Sequence, residues 1–303
     1  MTGRQLLVAS LCLLAWGATQ AQTQNDSIAT WKPVEAALGR AGQLQPGDVY
    51  KFSMPRKDMK VVKAGVTVAP GLALGSWLAF KTMGGQTMVM GDLVLTEEEI
   101  EPVMLKLQQE GIEQTAIHNH LLGESPRVIY MHIEGHGDAA ALAKSLAAAL
   151  ALTKTPASAS GASAAASQPL DLDTAQIDKT LGYTGKPSGG ILQFSIPRAE
   201  KIMEEEMEIP PAMGTATAIN FQPTGQGKAA ISGDFVLLAS ELNPVIHALR
   251  TNGIDVTAMH NHMLNDQPHL YFIHFWANDD AVKLAHGLRA AIDVTNSQKP
   301  KTE

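Results

Sequence analysis

The chain has 303 residues, 45% hydrophobic and 17% charged, with 26 glycines, 16 prolines and only 5% aromatic residues. This composition excludes a collagen, a coiled coil, a fully disordered chain and a disulfide scaffold, while the length predicts two domains. Lys and Arg number 23 against 30 Asp and Glu, a net charge of −7, and with no basic run nucleic acid is not expected as a partner.

The N-terminus has the pattern of a secretory signal peptide spanning residues 1–21. Arg4 supplies the positive start, residues 6–16 form an apolar run, and Gly17, Ala18, Thr19 and Ala21 follow as small residues suited to cleavage. The run is too short to cross a bilayer comfortably. Cys12, the only cysteine, lies inside it behind Leu11, where a lipidated cysteine needs a small residue. A mature chain would then contain no cysteine, which excludes disulfides and thiolate chemistry. No other stretch approaches the ~20 apolar residues of a membrane helix. The expectation is a protein that is periplasmic or secreted, without a transmembrane segment.

Next in chain order, residues 49–54, 73–81 and 87–95 alternate as strands. Thr96 followed by Glu99 is a capping signal for a helix that closes near Gly111. Residues 115–122 and 127–133 read as a hairpin with its turn at Gly123 to Pro126, and Asp138 caps an Ala- and Leu-rich helix. The same order then repeats. Gly91-Asp92-Leu93-Val94-Leu95 recurs as Gly233-Asp234-Phe235-Val236-Leu237, and Thr115-Ala116-Ile117-His118-Asn119-His120 as Thr257-Ala258-Met259-His260-Asn261-His262. Half of the residues from 91 to 122 are identical in the second copy without a gap. Between the copies runs an Ala- and Ser-rich stretch with no strand period, which reads as a linker. The expected organisation is a first domain at 28–153, a linker at 154–171 and a second domain at 173–296. Strands followed by helices, twice over, predict an α+β fold: two homologous domains, each an antiparallel sheet with helices packed on it, paired within the chain and related by a pseudo-two-fold.

The hairpin carries the candidate chemistry. Strand alternation projects His118 and His120 from one face. Closing the hairpin near residues 123–127 places position 120 opposite about 130, and 118 opposite about 132, so Tyr130 and His132 join that face. Three imidazoles per copy, His118, His120 and His132 and then His260, His262 and His274, offer neutral nitrogen ligands to a divalent Zn, Cu, Ni or Fe ion. Such a site is expected to weaken as pH drops through ~6, because ligation needs neutral imidazole. In the second copy Phe272 replaces Tyr130. Glu124 and Asp266 occupy equivalent turn positions and could add a carboxylate. Asp92 and Asp234, each after a strand glycine, could orient a histidine or hold a bulge. His136, His247, His269 and His286 read as surface or packing residues, and Arg56 and Arg198 as salt-bridge formers.

The runs Leu74-Gly75-Ser76-Trp77, Met90-Gly91-Asp92-Leu93-Val94-Leu95 and His118-Asn119-His120-Leu121-Leu122-Gly123-Glu124-Ser125-Pro126-Arg127 resemble the LppY/LpqO family. The resemblance covers most of the chain as two copies and is closer in the first, since Trp77 meets Ala218 and Gly135-His136-Gly137-Asp138 meets Ala277-Asn278-Asp279-Asp280. It implies export from a bacterial cell and a duplicated domain, and it assigns no activity. Three readings therefore stand: a module that binds a transition metal or small ligand through the histidine clusters, a metal-dependent hydrolase of the cell envelope, and an interaction protein whose histidines pack in the core.

Overall fold

The structure, a computed structural model, describes residues 29–156 and 169–299. The expected signal peptide and most of the linker lie outside the described residues. In the first copy the elements run α1 (Lys32–Leu38), β1 (Gln43–Gln45), β2 (Val49–Pro55), β3 (Val62–Lys63), β4 (Val66–Thr67), α2 (Pro70–Ala73), β5 (Gly75–Met83), β6 (Gln86–Thr96), α3 (Glu97–Gln109), β7 (Glu113–His118), β8 (Val128–Gly137) and α4 (Ala139–Leu150). The second copy runs α5 (Thr174–Leu181), β9 (Lys186–Ser188), β10 (Ile191–Pro197), β11 (Met203–Glu204), β12 (Met207–Glu208), a 3-10 turn at Pro211–Met213, β13 (Ala216–Gly225), β14 (Lys228–Leu238), α6 (Leu242–Thr251), β15 (Asp255–His260), β16 (Asp266–Gln267), β17 (Leu270–Asp280) and α7 (Ala281–Ile292).

Each copy builds a six-stranded antiparallel sheet of the same order, β1-β2-β5-β6-β8-β7 and β9-β10-β13-β14-β17-β15. The fold is α+β in two tandem domains. Alternation decides what each face buries. Tyr50, Phe52 and Met54 of β2, with Leu78 and Phe80 of β5, pack under the helices against Val34, Val103, Leu107 and Leu146. The helices start where the chain chemistry directs. Glu99 Oε2 accepts the Thr96 N–H at 2.9 Å to close a capping box on α3, and Asp138 Oδ1 accepts the Ala141 N–H at 2.8 Å on α4.

The opposite faces of the two sheets bury much of their area against each other, and this is the feature that alternation alone conceals. β6 is buried almost throughout, as a strand covered on both faces must be. Val49, Ala79, Met88 and Met90 of the first copy cluster with Ile209, Met213, Val236 and Phe272 of the second. Reciprocally, Leu72, Leu74, Val94 and Tyr130 cluster with Ile191, Ala230 and Trp276. Helical turn α2 reaches onto β13 and β14, and the 3-10 turn at Pro211–Met213 reaches onto β2 and β5. The result is four layers, helices outside and two sheets facing each other inside.

The repeated Gly-Asp step has a packing cause. A Cβ on Gly233 would stand 2.0 Å from the Ala218 carbonyl oxygen, and one on Gly91 would stand 2.8 Å from the Trp77 carbonyl oxygen. Gly233→Ala must therefore push β13 from β14. The expected loss is at least the ~1–3 kcal/mol of core overpacking, read as a lowered unfolding midpoint in urea. An unchanged midpoint would mean that the strands do not approach so closely.

Candidate metal centre

The histidines reach the inner space from strand register. Asp92 of β6 pairs with His132 of β8, and Asp234 of β14 with His274 of β17. β7 and β15 then deliver His118 opposite Tyr130 and His260 opposite Phe272. That is two residues from the pairing expected for His118; the bulges between Gln114 and Ala116 and between Val256 and Ala258 shift the register by one residue each. His120 and His262 follow just beyond the strand ends.

Because the two faces meet, the six imidazoles form one cluster instead of two. His118 and His260 stack across the interface with ring centroids 3.6 Å apart. His120 lies between Tyr130 at 3.6 Å and His274 at 3.5 Å. His262 lies between Phe272 at 3.4 Å and His132 at 3.8 Å. Each copy's hairpin histidine thus stacks on the other copy's strand histidine. Side-chain hydrogen bonds fix this arrangement reciprocally. Thr115 Oγ1 donates to the His262 carbonyl and Thr257 Oγ1 to the His120 carbonyl. Asn119 Nδ2 donates to the Thr257 carbonyl at 2.9 Å, and Asn261 Nδ2 to the Thr115 carbonyl at 3.2 Å. The asparagines inside the two His-Asn-His runs therefore tie the copies together.

The Gly-Asp step also orients the strand histidines. His274 Nδ1 lies 2.8 Å from the Gly233 carbonyl, and the Gly91 backbone faces His132 in the first copy. A ring whose Nδ1–H is held this way presents a free Nε2 lone pair. Asp234 Oδ2 stands 3.1 Å from His262 Nε2, whereas Asp92 Oδ2 stands 3.9 Å from His120 Nε2. Two sets of three nitrogens fall within 4.8 Å of one another: His118, His260 and His274, and His132, His260 and His262. His260 belongs to both.

The donor set fits a metal, and its unmet valences say so. Among the described residues, eleven buried side-chain nitrogen or oxygen atoms have no hydrogen-bond partner. Seven of them are here: Nε2 of His118, His120, His132 and His274, Nδ1 of His260, and Oδ1 of Asp92 and Asp234. Buried polar groups are seldom left unpaired, because each costs ~1–3 kcal/mol. Burial pushes His118 and His262 down to about 3 and His274 to about 4. It holds His120, His132 and His260 well below the imidazole range, and the neighbouring histidines add to the effect. Burial also raises Asp234 to about 7 and Asp92 well above the carboxylate range, the latter assisted by Asp234. Neutral imidazoles are the ligand form.

These shifts predict an acid-sensitive core. A histidine whose folded value lies below its unfolded value of ~6.5 contributes stability that is complete above ~6.5 and lost as pH falls toward the folded value. For His274, fully buried, this is on the order of 2 kcal/mol by pH 5. Asp234 acts in the opposite sense, since its contribution is lost as pH rises toward about 7, but histidines outnumber aspartates. The thermal midpoint of EDTA-treated protein is expected to fall by at least about 5 °C between pH 7 and pH 5. A flat profile would contradict the buried neutral cluster.

The other candidate residues lie elsewhere. Glu124 Oε1 accepts the Val128 N–H at 3.4 Å, and Asp266 accepts the Leu270 N–H at 2.7 Å and sits 2.6 Å from His269 Nδ1. Both close their own turns and do not join the cluster. Tyr130 stacks on His120 but spends its hydroxyl on the Ala73 carbonyl. His136 pairs with Glu134 at 2.9 Å. Arg56 is fully buried and bonds Glu99 at 2.8 Å, Asp58 at 3.0 Å and the Val94 carbonyl at 2.6 Å; Arg198 repeats this with Glu241, Glu200 and the Val236 carbonyl. Sequence reasoning missed Lys51, whose ammonium sits 4.1 Å over the Trp77 ring in a cleft that reaches Asp92 and His120. The only available signal was its place in β2, alternating with the core residues Tyr50 and Phe52.

A family model described as Domain of Unknown Function (DUF1259) matches residues 32–152 and again residues 175–294. The chain belongs to that family, in two tandem copies. The comparison with curated proteins found no match. Among solved structures the chain is similar to the trimeric bacterial microcompartment shell protein PduB, at 11% identity over 84% of this chain and 89% of that one, with a TM-score of 0.21. It is also similar to EtuB from Clostridium kluyveri, at 10% identity over 83% of this chain and 90% of that one, with a TM-score of 0.20. Scores of this size carry no argument about fold or function. Among the described residues, no helix is long and apolar enough to cross a membrane.

Proposed function

We propose that the protein binds one divalent transition-metal ion, Zn, Cu, Ni or Fe, among His118, His120, His132, His260, His262 and His274. One observation carries this reading: seven orphaned, buried polar atoms belong to side chains of a single cluster that both copies build. Core histidines that merely pack would be expected to find carbonyl or carboxylate partners for both ring nitrogens. Six imidazoles with no thiolate suit the borderline transition metals over Mg or Ca. The shared position of His260 in both ligand triads favours one ion per chain over one per copy. The reciprocal threonine and asparagine bonds support a pseudo-two-fold between the copies, since a residue and its counterpart make each other's contact. The LppY/LpqO resemblance and the N-terminal pattern support export to the periplasm or beyond.

A metal-dependent hydrolase is the second reading, favoured by a cleft that brings Asp92 and Asp234 to the cluster. A carboxylate there could take a proton from a water attacking a bound substrate. Metal analysis of protein purified without a His tag tests the primary reading. Close to one equivalent of a transition metal per chain is expected after exhaustive dialysis. Absence of any such metal, with no affinity tighter than micromolar on reloading, would leave the histidines as core groups.

A further inference from the structure

A cleft of about 1200 Å³ runs between the two copies, and its lining includes Lys51, Trp77 and Ala212 as well as Asp92, His120, Asp234 and His262. Lys51 is its most unusual member. Its Nζ donates to the Ala212 carbonyl at 2.9 Å and stands 4.1 Å over the Trp77 ring. Among the described residues no carboxylate comes within the 4.0 Å of an ion pair, so two of its three N–H donors are unspent. Burial pushes the ammonium down to about 8, with the Asp92 charge opposing. A partly buried ammonium facing a cavity without a counter-ion is a costly arrangement, of the kind found where a ligand supplies the missing charge.

The second copy does not repeat it. Gln193 occupies the position of Lys51, and its amide is spent on the Gly71 carbonyl at 3.3 Å and Asn220 Oδ1 at 3.2 Å. Ala218 occupies the position of Trp77, each pairing with the aspartate of its own Gly-Asp step. One end of an otherwise duplicated cleft is therefore cationic and aromatic. The whole lining carries five basic against four acidic side chains, in a chain whose net charge is −7. Lys57 and Lys186 sit exposed at the rim, where they favour the approach of an anion.

We propose that this cleft is a binding site for a small organic monocarboxylate, its carboxylate held by Lys51 and its apolar body lying against Trp77, Pro210 and Pro211. The single ammonium matches one negative charge. A second charge, as on a phosphate monoester, would find Asp92 and Asp234 instead of a cation. The Ala212 carbonyl belongs to the turn at Pro211–Met213, so the second copy aims the ammonium of the first. The site needs no metal and does not rest on the proposed function, although its cleft also reaches His120 and His262.

The test is calorimetric titration of the full-length protein with benzoate, phenyl phosphate and benzyl alcohol, before and after EDTA dialysis. Benzoate is expected to bind in both states, phenyl phosphate and benzyl alcohol at least tenfold more weakly. Lys51→Gln, which installs the residue of the other copy, should weaken benzoate about 10- to 100-fold, the range for a lost charged hydrogen bond; Lys51→Arg should retain most of it. Equal binding of benzyl alcohol, tighter binding of phenyl phosphate, or no heat from benzoate with folded wild type would each overturn the proposal. Loss of benzoate binding on EDTA treatment would also overturn it, by assigning the carboxylate to a metal. These comparisons in wild type decide the matter even if a Lys51 variant fails to fold. A chain that binds no metal yet takes benzoate would remove the metal reading alone.

Discussion

Replacing His260 with alanine is expected to reduce metal affinity by more than about 100-fold. Loss of a residue that only orients a ligand costs ~10–100-fold, and His260 belongs to both nitrogen triads that could hold the ion. His132→Ala and His274→Ala each remove one triad and should cost less, because the other triad keeps its three nitrogens. His247→Ala, on the exposed side of α6, should change nothing. The pattern separates two accounts. If each copy held its own ion through its own hairpin, His260→Ala would halve the stoichiometry and leave the surviving site at full affinity. Titration with zinc against a chromophoric chelator gives both quantities for each variant.

Arg56→Met should be the most destabilising substitution away from the cluster. The guanidinium is fully buried and holds the strand β2, the arm after it and helix α3 through Asp58, Glu99 and the Val94 carbonyl. Its hydrogen bonds keep Glu99 below the usual carboxylate range against the effect of burial. Removing one partner leaves a buried charge uncompensated, which costs ~3–5 kcal/mol. Arg56→Met with Glu99→Leu should lose less than Arg56→Met alone, since no charge is then stranded. Arg198→Met should reproduce the effect through Glu241. Urea unfolding followed by circular dichroism measures this; a loss below about 1 kcal/mol would mean that water reaches Glu99.

Much of the architecture can be read from the chain because it is local. The repeat of the Gly-Asp step, the Thr96 and Glu99 pair and the alternation of Tyr50, Phe52 and Met54 each act over a few residues. Alternation also places His118, Tyr130 and His132 on one face without any tertiary knowledge. The bulge after Gln114 is less visible, since nothing in the residue types there requires it, and it shifts the hairpin pairing by one residue. The union of the two triplets is invisible for a deeper reason. Grouping histidines by copy assumes that each sheet buries one face only, and the near-continuous burial of β6 depends on a partner sheet more than a hundred residues away. Met88, Met90 and Val94 were consistent with that second buried face, but an ordinary core strand reads the same. Lys51 was hidden by its own ordinariness, as a polar residue alternating with apolar ones is what a solvated face looks like.

On the proposed function, both copies together build one metal site between the sheets. Anomalous diffraction from crystals of the protein loaded with zinc, collected on either side of the zinc edge, tests it most directly. One strong anomalous peak per chain is expected, coordinated by His260 together with histidines of both copies. Two peaks, each ringed by the three histidines of a single copy, or no peak within the cluster, would contradict it.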